Sequence, residues 1–386
     1  MTIMYSYLAQ QIQKDLLKKM VFLSGPRQCG KTTLAQKILG FPNHSDRYFN
    51  WDNDLHRELL LKQKLPITPG MIVLDEIHKY IRWRNYLKGI FDLRKHELKI
   101  LVTGSAKLDY YRRGGDSLQG RYHHIRMHPL TLMDIDTKNQ EALESLFNFN
   151  GFPEPFFSQS ESETRRWSRE YRSRLVREEL TSLEKVSELS LVELLMIRLP
   201  DCVSSPLSVN ALREDLKVSH QTVSRWLDIL ENLYAIFRIY PFGAPQIRAV
   251  KKEPKHYHFD WALVENKGAR FENLVACHLL KWCHWIEDTQ GYDMELRYFK
   301  DNEKREVDFV VLKNRKPIYF IEVKFSYQEA DLSLRYIKKK FSEVPAYQIY
   351  FNDKSAGMKT KSYKDKDNII ICPAVEFFEK NFHFDV

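Results

Sequence analysis

The chain has 386 residues, 43% hydrophobic and 29% charged, a composition that excludes disordered and collagen-like classes and asks for two or three domains. Its formal charge of +9 is a mild basic excess that suits a polyanionic partner without identifying one. The first residues are too polar for a secretory leader, no stretch approaches the roughly 18 apolar residues of a membrane span, and five scattered cysteines fit a reducing compartment. A cytoplasmic protein with no membrane partner is the expectation.

In chain order, residues 5–18 read as an amphipathic helix, Met20–Leu23 as an apolar strand, and Thr32–Ile38 as a helix entered through a glycine-bounded turn. Met71–Leu74 and Lys99–Val102 are further short apolar runs, and Trp83–Lys95 lies between them as a helix. Such runs alternating with helices predict a buried parallel sheet covered by helices. From Gly151 the texture changes to charged helices, Glu163–Thr181 and Ser187–Leu199. Ser208–Leu216 and Gln221–Leu233 then make helix, turn, helix, with Tyr234–Tyr240 as the following strand, which is a winged-helix pattern. Pro241–Pro254, with Arg248, Lys251 and Lys252, reads as an exposed linker. Beyond it come a helix at Phe271–Ile286, strands at Leu296–Phe299, Val307–Leu312 and Ile318–Val323, a helix at Leu332–Phe341, and strands at Tyr347–Phe351 and Ile369–Cys372. Cys277-His278 and Cys283-His284 lack a C-x-x-C companion and lie on one apolar-rich helix, so a core role is preferred to zinc.

Gly25-Pro26-Arg27-Gln28-Cys29-Gly30-Lys31-Thr32, followed by Thr33, fits G-x-x-x-x-G-K-[ST]. Its glycines let backbone N–H groups wrap a phosphate, Lys31 reaches the outer phosphates and Thr32 ligates magnesium. Average residue usage gives this pattern in only about one chain in a hundred of this length, so ATP and Mg2+ are the expected ligands. Asp75 and Glu76 end an apolar strand, where the first can hold magnesium and the second can polarise the attacking water. The bland reading is a pair of solvated acids opening the next turn. Thr103 and Ser105, after the third strand, either sense the γ-phosphate or cap the next helix.

These residues resemble the two-domain AAA-type ATPases that join a phosphate-loop domain to a C-terminal domain of unknown function. The matching stretches run from Gly25 to Leu34, through Leu74-Asp75-Glu76-Ile77, Thr103-Gly104-Ser105, Leu118-Gln119-Gly120-Arg121 and Pro129-Leu130, to Gly151-Phe152-Pro153-Glu154 and Arg270-Phe271-Glu272-Asn273. Cys29 departs from the aliphatic residue more usual there. The resemblance implies a homo-oligomer in which a neighbour supplies an arginine, Arg121, with Arg112 and Arg113 as rivals.

In the C-terminal part, Asp308 interrupts one apolar strand, and Glu322 and Lys324 share a face of the next. Two carboxylates and a lysine can hold a hard cation and position a water for phosphodiester attack. The bare spacing is expected about once by chance in a chain of this length; only the apolar context raises it. The order helix with Glu272, strand with Asp308, strand with Glu322-x-Lys324, helix resembles the restriction-endonuclease-like fold, and the alternative is an edge ion pair on a solvated sheet. Ser219, Thr222 and Arg225 can meet DNA, whereas Trp226, Leu227 and Leu230 are core.

The expected fold class is therefore α/β: an N-terminal parallel-sheet P-loop AAA-type domain (1–135), a helical connector (136–200), a winged helix (201–245) and a C-terminal α/β restriction-endonuclease-like domain (246–386). The expected function is an ATP-hydrolysing ATPase coupled to a nuclease-like domain that acts on DNA. The alternative is a nucleotide-driven scaffold or regulator whose C-terminal domain binds a partner and cuts nothing.

Overall fold

The structure, a computed structural model, describes residues 5–104, 118–180, 188–243, 253–351 and 362–384. They fall into two units, one built from Ile3–Pro129 and the other from Leu130–His383. No described helix is long and apolar enough to cross a membrane.

The first unit runs α1 (Ser6–Asp15), β1 (Met20–Ser24), α2 (Lys31–Leu39), β2 (Tyr48–Asn50), α3 (Asp54–Leu61), β3 (Gly70–Asp75), α4 (Trp83–Arg94), β4 (Leu98–Gly104) and β5 (Tyr122–Arg126). The five strands form a parallel sheet in the order β2-β3-β4-β1-β5. Every residue of β1 is buried, as a strand covered on both faces requires, which is why it reads as an unbroken apolar run. Phe22, Ile72, Leu74, Ile100 and Val102 line one core with Trp83 and Leu87 of α4. The strand β2 is only three residues long, and β5, Tyr122-His123-His124-Ile125-Arg126, is too polar to read as an apolar run. Both lie at sheet edges, where one flank needs no burial.

The second unit opens with helices α5 (Gln140–Phe149), α6 (Pro153–Ser158), α7 (Glu161–Arg174), α8 (Leu189–Arg198), α9 (Val209–Leu216) and α10 (His220–Asn232). Next come β6 (Ile236–Pro241), β7 (Lys255–His258), α11 (Lys267–Gln290), β8 (Met294–Lys300), β9 (Glu306–Lys313) and β10 (Lys316–Lys324). The unit closes with α12 (Leu332–Lys340), β11 (Ala346–Tyr350), β12 (Tyr363–Lys364), β13 (Ile369–Pro373) and α13 (Ala374–Asn381). Its mixed sheet has the order β12-β13-β11-β10-β9-β8-β6-β7. Ser219 caps α10 by accepting from the Thr222 N–H, and Trp226, Leu227 and Leu230 are buried.

One departure from the sequence reading matters for function. The strands β6 and β7 lie on either side of the 245/246 boundary yet are antiparallel neighbours, and β6 pairs in parallel with β8. The helix-turn-helix and the C-terminal strands thus share one sheet. Lys255-His256-Tyr257-His258 is a fully buried strand, although its polar side chains resemble the end of a linker. Arg248, Lys251 and Lys252 lie outside the described residues.

Three histidines are sealed in this unit. His256 Nε2 bonds the Leu199 carbonyl at 2.9 Å, and His278 accepts from the Leu132 N–H at 3.0 Å while its other ring nitrogen bonds the Leu274 carbonyl. Cys277 donates to the His258 carbonyl, so the Cys277-His278 pair of α11 is occupied by bonds within the core. Burial lowers the pKa of His256 to about 4 and of His278 to about 3, and holds His258 well below its ordinary value. A depressed folded-state value means the stability is fully present above pH 6.5 and is lost as pH falls toward it. At pH 5 His256 alone is expected to cost on the order of 2 kcal/mol. Urea denaturation at pH 7 and pH 5, followed by tryptophan fluorescence, measures this; His256→Gln should reduce the dependence by about that amount and leave the share of His258 and His278.

Candidate functional site

The turn between β1 and α2 needs conformations that few residues adopt. Gly25 has φ 154°, Gln28 φ 59° and Gly30 φ 101°. A Cβ on Gly25 would lie 2.1 Å from the Met127 carbonyl oxygen, so only glycine fits where β5 runs out beside the loop. Such left-handed turns direct backbone N–H groups into an anion-binding concavity at the start of a helix. Cys29 is buried, while Thr32 and Thr33 are exposed on the first turn of α2. Lys31 Nζ bonds the Gly25 and Pro26 carbonyls at 2.9 and 2.5 Å, which holds the ammonium over the loop.

Asp75 ends β3 beside this loop and is buried. Three hydroxyls fix it: Thr32 Oγ1 donates to Oδ2 at 2.9 Å, Tyr48 OH donates to Oδ2 at 2.6 Å, and Thr103 Oγ1 donates to Oδ1. Burial, and after it the Asp75 charge, pushes the Tyr48 phenol far up, so it remains a donor. The carboxylate is held by hydrogen bonds beside the Thr32 hydroxyl, an arrangement of oxygen donors that fits a hard divalent cation.

Glu76 sits at φ 58°, a left-handed conformation that costs a non-glycine residue about 1–3 kcal/mol and clusters at functional sites. Among the described residues its Oε2 is buried without a hydrogen-bond partner, 3.6 Å from Lys79 Nζ and 3.7 Å from His78 Nε2. Burial lowers the His78 pKa, so that ring stays neutral. Arg121 is not brought to the loop of its own chain. It precedes β5, its carbonyl accepts from the N–H of Met20 at the opposite end of β1, and its guanidinium pairs bidentately with Asp92 at 2.8 and 3.0 Å. Ser105, Arg112 and Arg113 lie outside the described residues.

In the second unit, Glu272, Asp308, Glu322 and Lys324 do converge. Lys324 Nζ bonds Glu322 Oε1 at 2.7 Å, Glu322 Oε2 accepts from the Asp308 N–H at 3.3 Å, and Asp308 Oδ2 accepts from the Val323 N–H at 3.0 Å. Lys255 occupies the middle of the group. Its Nζ lies 2.7 Å from Glu306 and 3.3 Å from both Glu272 and Asp308, and its side chain is 1% exposed. Tyr257 donates to Glu272 at 2.7 Å. Burial alone would strip the Lys255 proton, but Glu272 and the neighbouring acids outweigh it and hold the pKa well above the ordinary value. Burial and then the Glu272 charge push Asp308 up to about 6, and burial followed by Asp308 raises Glu322 further.

Comparison with known proteins bears on the first unit most clearly. Residues 17–135 match the family described as AAA domain. The match covers the whole parallel sheet and the phosphate-binding loop, so this segment is similar to AAA domains. Residues 140–269 and 267–375 match two families, each described as a domain of unknown function. An uncharacterized protein of Haemophilus influenzae is 22% identical over 88% of this chain and 91% of its own length. An uncharacterized protein of Mycobacterium tuberculosis is 25% identical over 63% of this chain, which spans 55% of that relative. The structure of AMPPCP-bound DnaA from Aquifex aeolicus covers 59% of this chain at 13% identity, with a TM-score of 0.31, a likeness too weak to argue from.

Tyr48, Lys255, Tyr257 and Glu306 escape sequence reading. Tyr48 lies on an edge strand of three residues, and Lys255 follows Pro254 in a segment without apolar alternation. The available signal was the aromatic content of Tyr257 and Phe259 around it. Removing the phenol in Tyr48→Phe leaves Asp75 short of one charge-assisted bond and should destabilise the AAA-type unit by about 1.5–3 kcal/mol. Thermal unfolding checks it; an unchanged midpoint would show that Thr32 and Thr103 suffice.

Proposed function

We propose that the first unit hydrolyses ATP with magnesium and that the second is a binding module that does not cut. The single observation that carries the first half is the 2.9 Å bond between Thr32 and Asp75, a hydroxyl and a carboxylate already side by side beneath a phosphate-binding loop. In this reading the N–H groups of residues 25–33 wrap the phosphates and Lys31 swings from the loop carbonyls to the outer phosphates. Thr32 and Asp75 hold the metal, which when bound neutralises phosphate charge. Thr103 and Tyr48 position Asp75. Glu76, with a buried acceptor oxygen that has no hydrogen-bond partner among the described residues, takes the proton of the water that attacks the γ-phosphorus as the bond to the bridging oxygen breaks. An Arg121 contribution requires a second copy of the chain and release from Asp92.

Support for the second half comes from Lys255. A carboxylate group that already surrounds a buried ammonium has its counter-charge built in, and a divalent cation entering it would have to displace a lysine that nothing else can solvate. This favours a nucleotide-driven regulator over an ATPase with its own nuclease.

Lys31→Ala should lose ATP binding, because a direct counter-charge to the phosphates disappears, whereas Glu76→Gln should bind ATP and lose turnover. Calorimetric ATP titration beside phosphate-release kinetics separates the two; a Glu76→Gln protein that turns over normally moves the base elsewhere. Lys255→Met removes the cation shared by Glu272 and Asp308 and leaves Glu306 with Lys300 alone, and should destabilise the second unit by about 3–5 kcal/mol. Manganese without nucleotide should restore its melting temperature, while the wild-type unit gains nothing from the metal.

A further inference from the structure

The second unit has a cavity that neither the nucleotide loop nor the Lys255 cluster uses. It encloses about 780 Å³ between α7 and the start of α11. Its apolar side is an aromatic triad: the Phe147 and Phe351 rings lie 4.8 Å apart, and Phe325 is stacked on Phe351 at 5.2 Å with 12° between planes. Phe147 and Phe351 are buried, but Phe325 is partly open to the cavity. The guanidinium of Arg270 lies 5.4 Å from the Phe147 ring, and its Nε donates to the Val264 carbonyl at 2.7 Å. That bond fixes the plane of a group that presents further donors to the cavity.

The opposite wall is cationic. Arg165, Arg169 and Arg172 recur at helical spacing on α7 and span about 10 Å along it, while Thr164, Trp167 and Tyr171 of the same helix are buried. Lys267 completes five cations against three acids, Glu144, Glu161 and Glu265. Glu161 is paired with Arg165 at 3.3 Å, and both are exposed. Among the described residues neither Arg169 nor Arg172 has a carboxylate partner, and Arg270 has none within ion-pair distance. Burial lowers the pKa of Arg270, and the more distant charges of Asp260, Glu161 and Glu265 offset only part of that effect. A second cavity of about 630 Å³ shares Glu265 and Phe325 with the first, but its charged lining is Asp201, Glu265 and Glu272 against Lys324, so the cationic surface ends at Phe325.

Unpaired planar cations beside an open aromatic ring are the surface that single strands use: phosphates on the guanidinium groups, a base on the ring. A duplex keeps its bases stacked inside and cannot lay one on a recessed phenylalanine. A polyglutamate peptide would find the cations but leave the ring without a partner, and the phosphate of a single nucleotide would leave most of the cations spaced along α7 unused. We propose that this cavity holds a short stretch of single-stranded nucleic acid, with a base on Phe325 and phosphates on Arg169, Arg172 and Arg270. This deepens, and rests on, the reading of the second unit as a binding module.

The test is fluorescence anisotropy of a labelled oligothymidylate of about 12 nucleotides on the full chain, without ATP, over a range of salt. Competitors are the matching duplex, thymidine monophosphate and a polyglutamate peptide. Single strand should bind and the competitors should not displace it at equal concentration. Phe325→Ala should weaken binding at least about fivefold. Arg169→Ala with Arg172→Ala should weaken it further and reduce the slope of log affinity against log salt by about 1.4. Lysine at both positions should restore most of the slope, which a misfolded variant could not do. Equal binding of duplex or polyglutamate, saturation by the mononucleotide alone, or variants that bind as wild type would overturn the proposal. Because ATP is absent, a chain that binds the strand yet never hydrolyses ATP would remove the ATPase reading and leave this one standing.

Discussion

A charge buried at the end of a β-strand must be compensated, and the two units of this chain meet that constraint in opposite ways. Asp75 is surrounded by neutral donors: the hydroxyls of Thr32, Tyr48 and Thr103 satisfy its oxygens. Glu272, Glu306 and Asp308 are surrounded by an ammonium: Lys255 stands among them almost wholly out of water. Hydrogen bonds from hydroxyls orient a carboxylate without neutralising it, so the first site retains an attraction for a cation. Lys255 offsets part of the charge of its three partners within the fold, and removing it would leave several like charges in a low dielectric. The contrast separates a carboxylate held by neutral donors from a carboxylate cluster that already contains a cation.

That distinction also explains which parts of the protein were legible in the sequence. The phosphate loop could be read because its chemistry is local: Gly25, Gly30, Lys31 and Thr32 lie within eight positions, and β1 before them is buried on both sides and therefore uniformly apolar. Asp75 and Glu76 were legible for the same reason, as acids ending an apolar run. The convergence of Asp308, Glu322 and Lys324 followed from strand alternation and a hairpin, whereas Glu272, on a helix, came only from resemblance. Lys255 did not, because it comes from a strand whose four residues are all polar or aromatic and whose burial depends on β6, α11 and the rest of the sheet. Nothing local in Lys255-His256-Tyr257-His258 announces a core strand. The edge strands β2 and β5 were missed for a related reason, since an edge needs only one covered flank.

Arg121 illustrates a different limit. Its role came from resemblance, and resemblance carries a position without its neighbours. In this chain the neighbour is Asp92, which holds the guanidinium in a bidentate pair and lowers the pKa of its own carboxyl through that bond. Any action on a phosphate in another copy must first compete with that pair. The second unit's arginines differ: Arg169 and Arg172 have no such carboxylate among the described residues, which is why the cavity beside α7 offers a better-supported anion site than the arginine suggested by family likeness.

The central claim is that the chain takes up one divalent cation, beside Thr32 and Asp75, and none among the carboxylates around Lys255. Anomalous diffraction at the manganese edge, from crystals of the whole chain grown with manganese and a non-hydrolysable ATP analogue, tests it directly. The account predicts one strong peak per chain, within bonding distance of Thr32 Oγ1 or the water shell of Asp75, with Lys255 still between Glu272 and Asp308. A second peak at Asp308 and Glu322, with Lys255 displaced, would contradict it and restore the nuclease.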